Sequence, residues 1–204
     1  MLERLAAHGG LVGLVAVYYL GFLTVGFTTG NRQVVFYAAI MALLFVAIAW
    51  WDRRRRFSKL VLWGLAAWGA LHMAGGMVPV SGGRVLYNLW LLPFLRFDHL
   101  VHALGFGFAG LAFRESVLDG VDGIVSSGAG LVMMGGLGFG ALNEMVEFLI
   151  TRVVPDTNIG EFENAGWDLV ANAAGAALAA WWVRWRWSRQ RISIATLAVK
   201  DQLR

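Results

Sequence analysis

The feature that most constrains this chain is a series of long apolar stretches separated by short polar links. They occupy residues 10–29, 34–51, 60–79, 97–113, 125–150 and 167–184. A bilayer core is crossed by about 20 apolar residues of helix, since no water there can satisfy an unpaired backbone group. Composition agrees, because 58% of the residues are hydrophobic and 15% are charged, against about 45–50% and 25% in soluble domains. The sequence therefore predicts an all-α, polytopic transmembrane helix bundle with about six spans.

The predicted bundle forms a single domain over residues 1–187, followed by a basic tail over residues 188–204. The first apolar stretch lacks a small-x-small cleavage site, which favours a retained span over a signal peptide. The longest polar link, residues 151–165, leaves no room for a separate soluble domain. The stretch at 97–113 is short and begins with polar residues, so a five-span arrangement is the alternative.

The distribution of Lys and Arg predicts the orientation of the bundle. In a six-span arrangement, all but four of the 17 basic residues fall on one side, in the first residues, the 52–59 linker, the 114–122 loop and residues 184–204. Cytoplasmic loops carry the excess of positive charge, so both termini are predicted to be cytoplasmic. The basic residues flank apolar spans instead of covering a soluble face, which argues against nucleic acid as a partner and for membrane lipids.

Polar side chains within the predicted spans are grouped in four places. Charged groups are costly in hydrocarbon, which makes them functional candidates by default. The third span contributes His72, the fourth Asp98 and His102, the fifth Asn143, Glu144 and Glu147, and the sixth Asp168 and Asn172. Helical spacing puts each set on one face. With both termini inside, all four groups lie in the outward half of the bilayer, so we predict one pocket near the extracytoplasmic face.

The residue types in this predicted pocket suggest a bound cation. Four carboxylates face few histidines, and such an excess of negative charge favours protons, a metal ion or a cationic ligand. We predict metal ligands at His72 and His102, catalytic acids or bases at Asp98, Glu144, Glu147 and Asp168, and ligand-binding amides at Asn143 and Asn172. Nitrogen and oxygen ligands suit a divalent metal such as zinc or iron, and the chain has no cysteine. His72 alone could instead be a hydrogen-bonding contact between helices.

Several further features lead to expectations about packing. Gly136 and Gly140 are spaced as a helix–helix seam, more plausibly within one chain than between two copies. Residues 84–96 are apolar but contain Pro93, which predicts an interfacial or re-entrant segment. His99 points about 100° away from the face that carries Asp98 and His102, which predicts an interfacial role. The acidic residues of the 151–165 link are predicted to be solvated loop positions: Asp156, Glu161 and Glu163.

Three motifs together resemble the YjdF-like bacterial inner-membrane proteins and, more distantly, the VanZ-like superfamily. They are Arg96-Phe97-Asp98-His99-Leu100-Val101-His102, then Asn143-Glu144-x-x-Glu147-Phe148, then Trp167-Asp168-x-x-x-Asn172-x-x-Gly175. The resemblance implies a multi-pass protein of the bacterial plasma membrane without an established activity. VanZ relatives are associated with glycopeptide resistance, but they commonly have Lys and Gln where this chain has His99 and Glu147, so that role is not inferred.

The sequence leaves three classes of function open. The first is a metal-assisted membrane enzyme whose substrate is a lipid, a lipid-linked envelope molecule or another amphipathic compound. The second is a non-enzymatic protein that binds or transports a ligand or ion, and the third is a structural membrane module. No HExxH, GxSxG or P-loop pattern occurs in the chain, so none of those mechanisms has support from a motif.

Overall fold

Helices dominate the computed structural model, which describes residues 2–119, 126–153 and 162–202. Each predicted span coincides with a helix, and the all-α prediction is confirmed. The span predicted to begin at residue 125 starts at Ala129, after a left-handed Gly128 with φ of 66°. The helices are α1 (Leu2–Ala7), α2 (Gly9–Thr28), α3 (Val34–Arg55), α4 (Lys59–Met77), α5 (Phe97–Leu118), α6 (Ala129–Val153) and α7 (Phe162–Gln202).

Four of these helices, α2, α3, α4 and α6, are long and apolar enough to cross a membrane. The fold is therefore a helical membrane bundle. The two other long helices, α5 and α7, carry half of the predicted site residues: Asp98, His102, Asp168 and Asn172. Both pack extensively against α6 and against each other. That they also cross the membrane, as a six-span arrangement requires, stays a prediction.

The centre of the bundle is built from α4, α5, α6 and α7, while α2 and α3 lie mostly exposed at its side. Small residues allow this close packing. A Cβ atom at Gly136 would lie 2.6 Å from the Cβ of Ala176 on α7 and 2.8 Å from the carbonyl oxygen of Phe106 on α5. One at Gly140 would lie 2.7 Å from the amide nitrogen of Asn172. The predicted glycine seam is confirmed as an internal contact, which brings α6 directly against the polar side of α7.

The connection between α4 and α5 is a pair of short antiparallel hairpins. Strands β1 (Pro79–Val80) and β2 (Arg84–Val85) form the first, and β3 (Trp90–Leu92) and β4 (Leu95–Arg96) form the second. Gly82, with φ of 76°, makes the first turn possible. The link between the hairpins directs Tyr87 into the bundle, where it is buried. The interfacial or re-entrant placement predicted for residues 84–96 stays a prediction.

The basic linker between α3 and α4 is shorter than the sequence suggested, because α3 continues to Arg55. Arg56 then turns the chain in a left-handed conformation with φ of 49°. Asp52 secures the corner, since its carboxylate accepts hydrogen bonds from Arg4 at 2.6 and 3.0 Å and from the backbone N–H of Phe57 at 2.9 Å. At the other end of the chain, α7 extends to Gln202, so the predicted basic tail is helical over most of its length.

The predicted orientation can be tested with single cysteines in this cysteine-free chain. With both termini inside, Asn158→Cys should react with an impermeant thiol reagent in intact cells, while Arg55→Cys should react only after lysis. Residue 158 lies outside the described residues, in the link between α6 and α7. Labelling of position 55 but not position 158 would reverse the orientation and move the polar cluster to the cytoplasmic half.

Candidate functional site: a carboxylate cluster around one histidine

His102 on α5 lies at the centre of the polar cluster. Its Nε2 atom is 3.6 Å from Oδ1 of Asp98 and 4.0 Å from Oδ1 of Asp168. Its Nδ1 atom is 3.1 Å from Oδ1 of Asn172 and 3.5 Å from Oε1 of Glu144. One imidazole therefore touches side chains from α5, α6 and α7. The convergence predicted from separate spans is present in the structure.

The two nitrogens of His102 have different surroundings. The nearest atom to Nδ1 is the amide oxygen of Asn172, which accepts hydrogen bonds only. In the neutral imidazole, with Asn172 in this orientation, Nδ1 is the nitrogen that carries hydrogen and donates it to Asn172, which leaves the lone pair on Nε2. That lone pair faces Asp98 and Asp168. An outer hydrogen bond of this kind fixes the tautomer and orientation of metal-binding histidines.

Two groups of possible ligand atoms meet at His102. One consists of Asp98, His102 and Asp168, the other of His102, Glu144 and Glu147, and within each group the atoms lie within 4.8 Å of one another. Asp168 is only 1% exposed. Both oxygens of Glu144 and Oδ1 of Asp168 are buried without a hydrogen-bond partner among the described residues. Buried carboxylate oxygens without donors are costly, and a cation would satisfy them.

Asn164 connects the two aspartates and was missed by the sequence reasoning. Its amide nitrogen donates to Oδ2 of Asp168 at 2.5 Å and to Oδ2 of Asp98 at 3.2 Å. Its oxygen accepts from Nη1 of Arg96 at 2.9 Å. The signal was the i, i+4, i+8 series of Asn164, Asp168 and Asn172. It was overlooked because the span was predicted to begin at 167, whereas α7 begins at Phe162.

His72 lies in the same cavity as the cluster but belongs to neither group of ligand atoms. Its Nδ1 is 2.5 Å from the hydroxyl of Tyr87, which also lies 3.1 Å from the carbonyl oxygen of His72. Burial raises the pKa of Tyr87 well above its usual value, so this phenol stays protonated. Tyr37 and Trp68 flank the imidazole at centroid distances of 5.6 and 5.5 Å. These contacts resemble a hydrogen-bonded helix contact, while the ligand role of His72 stays a prediction.

The cavity between His72 and His102 is small, with a volume of about 40 Å³. Glu147 lines it, and its Oε1 accepts a hydrogen bond of 2.7 Å from the amide of Asn143 one turn earlier. In the structure Asn143 thus positions a carboxylate. Space for a few waters or an ion is present here, but not for a lipid headgroup. The cavity is lined by Tyr37, Trp68, His72, Tyr87, Asp98, Val101, His102, Phe106, Asn143, Glu147 and Asn164.

Comparison with known proteins identifies a family. A family model described as "Predicted membrane protein (DUF2238)" covers residues 10–189. The chain belongs to this family. No curated protein and no solved structure matches it. DUF2238 membership supports a multi-pass membrane protein, and the matched range includes every residue of the cluster.

Two polar residues of this DUF2238 chain lie near the cluster without joining it. His99 lines the neighbouring groove instead of the cavity that His102 lines. It is buried: its ring lies 6.3 Å from that of Trp167, and its Nδ1 accepts from the backbone of Arg96 at 3.3 Å. Its interfacial role stays a prediction. Glu163 is exposed, as predicted, yet it lies in the first turn of α7 instead of a loop. An acidic residue is favoured there by the helix dipole. Asp156 and Glu161 lie outside the described residues.

Proposed function

We propose that Asp98, His102 and Asp168 bind a divalent cation, zinc or iron, and that the site supports a metal-assisted reaction on a lipid or lipid-linked envelope substrate. The resemblance to YjdF-like proteins supports a location in the bacterial inner membrane. The predicted orientation places the site in the extracytoplasmic half. The arrangement of the three side chains supports metal binding directly, and the proposed reaction depends on that metal.

The observation that carries the proposal is the geometry at Nε2 of His102. Zinc ligands lie about 2.0–2.2 Å from the ion, so neighbouring ligand atoms in a tetrahedral site are about 3.4 Å apart. The Nε2 atom is 3.6 Å from Asp98 and 4.0 Å from Asp168. These separations are too long for direct hydrogen bonds and close to those of a ligand shell. Asn172 and Asn164 hold the ligands from behind, as outer-shell partners do.

Electrostatics supports the same conclusion. Asp98, Asp168, Glu144 and Glu147 surround a single imidazole, and among the described residues Arg96 is linked to the aspartates through Asn164. A buried excess of negative charge is strongly unfavourable in a membrane bundle. A divalent cation on the Nε2 side would offset much of it. The two glutamates would remain on the other side of the ring.

Glu144 and Glu147 are the candidates for proton transfer. The carboxylate of Glu144 lies 3.5 Å from Nδ1 of His102, and neither of its oxygens makes a well-formed hydrogen bond within the described part of the chain. Glu147 is held by Asn143 and faces the small cavity. A carboxylate next to a metal site is the usual general base in metal-assisted hydrolysis. A bound cation would supply charge stabilisation and a more acidic water.

Metal analysis tests the proposal. Protein purified in a non-chelating detergent should contain close to one zinc or iron per chain, and His102→Ala should remove it because Nε2 is the only nitrogen of the proposed ligand set. His8→Ala, at the other end of the bundle, is the matched control and should retain the metal. Metal-free wild-type protein in repeated preparations, also after incubation with zinc or iron, would sink the proposal.

One observation favours a second candidate, the binding or transport of an ion without further chemistry. The cavity beside the cluster, at about 40 Å³, admits an ion or waters but no lipid headgroup. An ion transporter would move metal into proteoliposomes loaded with a fluorescent chelator, and Glu147→Gln would slow that flux. Bound metal without flux would favour the enzyme.

A further inference from the structure

We propose that a groove beside the cluster binds the phosphate group of an anionic amphiphile. This anion groove is lined by Trp90, Pro93, Phe94, Arg96, His99, Glu163, Asn164 and Trp167. The inference deepens the proposed function and rests on it, since it names the substrate class for the same site. It is carried by the charge, size and exposed aromatic rim of the groove.

Arg96 supplies the positive charge of the anion groove. Its Nε is buried without a hydrogen-bond partner among the described residues, while Nη1 donates to Asn164. Among the described residues, no carboxylate oxygen lies within 4.0 Å of the guanidinium of Arg96, so Arg96 forms no ion pair there. The guanidinium stacks on Trp90 at 4.6 Å, which fixes its plane. A held guanidinium with spare donors suits the oxygens of a phosphate.

The size and rim of the groove suit an amphiphile. Its volume is about 490 Å³, against about 40 Å³ for the cavity beside His102, and ligand sites commonly span about 300–1,000 Å³. Phe94 is 72% exposed at the tip of the second hairpin, and Trp90 and Trp167 are also exposed. Aromatic side chains of this kind favour the level of lipid headgroups. A phosphate at Arg96 would therefore leave an apolar tail beside exposed rings.

Asn164 joins the anion groove to the carboxylate cluster. It accepts from Arg96 and donates to Asp98 and Asp168. A phosphate bound by Arg96 would therefore lie one side chain away from the proposed cation, with Asn164 between the two. The negative charge of Glu163 on the rim of the groove opposes anion binding, and its removal therefore offers a second test variant.

The test uses the full chain, purified in an uncharged detergent and titrated with dihexanoyl phosphatidic acid by calorimetry. Arg96→Gln should weaken binding at least about tenfold, because hydrogen bonds to charged groups contribute about 1.5–3 kcal/mol. Arg84→Gln, an exposed arginine of the first hairpin, is the matched control and should bind like the wild type. Glu163→Gln should tighten binding severalfold by removing a like charge from the rim, and this variant carries the test if Arg96→Gln does not accumulate.

Two further measurements separate the possible outcomes. Inorganic phosphate should bind at least about tenfold more weakly than the lipid, since it lacks a tail to contact the aromatic rim. Metal content should be unchanged in Glu163→Gln. A wild-type protein that contains no metal but still binds the lipid through Arg96 would contradict the proposed function and leave the anion groove supported. No lipid binding by the wild type, equal loss in Arg84→Gln, or equal affinity for inorganic phosphate would each overturn the inference.

Discussion

Asp168→Asn should fold normally and lose its divalent cation. Asparagine keeps the shape of the side chain and can still accept the hydrogen bond that Asn164 donates to Oδ2 of Asp168. It removes one negative charge from a position that is 1% exposed. Because loss of an outer-shell partner alone costs about 10–100-fold in metal affinity, loss of a charged ligand should cost at least about 100-fold.

The measurement for Asp168→Asn is metal content together with thermal unfolding in detergent. Without metal, the variant should unfold at the same temperature as the metal-free parent or above it, since a buried unpaired charge has been removed. Glu163→Gln is the matched control: an exposed carboxylate on the same helix, whose loss should leave the metal in place. Wild-type metal affinity in Asp168→Asn would show that its charge is dispensable, whereas poor accumulation would indicate a structural role.

Gly175→Ala should disrupt the bundle itself. A Cβ atom at this position of α7 would collide with the backbone carbonyl of Ala103 on α5. A collision with helix backbone cannot be relieved by rotating a side chain, so α5 and α7 must separate. We expect a loss of about 3 kcal/mol or more in the free energy of unfolding, at the upper end of the range for overpacked cores.

The consequence of Gly175→Ala should extend to the cluster, because α5 carries Asp98 and His102 while α7 carries Asp168 and Asn172. Thermal unfolding followed by size-exclusion chromatography would measure the first effect, and metal content the second. Gly138→Ala is the matched control, since a Cβ atom on this α6 glycine would meet nothing within 4 Å. It should be neutral or stabilising by up to about 1 kcal/mol. Equal behaviour of the two variants would show that the α5–α7 contact tolerates a methyl group.

The placement of the cluster in a membrane bundle gives the polar residues their meaning. In a soluble protein, carboxylates such as Glu144 and Glu147 could be solvated by a small movement. Among packed apolar helices that escape is restricted, so charge must be neutralised by protons, by a cation or by a partner. Arg96 is separated from the aspartates by the side chain of Asn164. The excess negative charge of the cluster is therefore the property that the proposed cation addresses.

The sequence by itself determined the helices and most of the polar groups that meet. Apolar length predicts spans because unpaired backbone groups cannot be left in hydrocarbon, and each predicted stretch coincides with a helix. Helical spacing put Asp98 with His102 and Asp168 with Asn172 on common faces. The glycines of α6 indicated a close internal contact, which the approach to Ala176 and Asn172 confirms.

Only the tertiary structure decided which of these groups are neighbours. Spacing fixes the direction of a side chain on its own helix, but the rotation and depth of each helix depend on packing against the others. The sequence thus could not show that Nδ1 of His102 meets Asn172 while Nε2 faces the aspartates. Nor could the sequence show that His72 contacts Tyr87 of the hairpin segment and lies outside both groups of ligand atoms. The sequence also did not predict Asn164 in the cluster, because α7 begins at Phe162, before its apolar stretch. A helix can begin with polar residues where neighbouring side chains supply hydrogen bonds, as Asp98 does for Asn164.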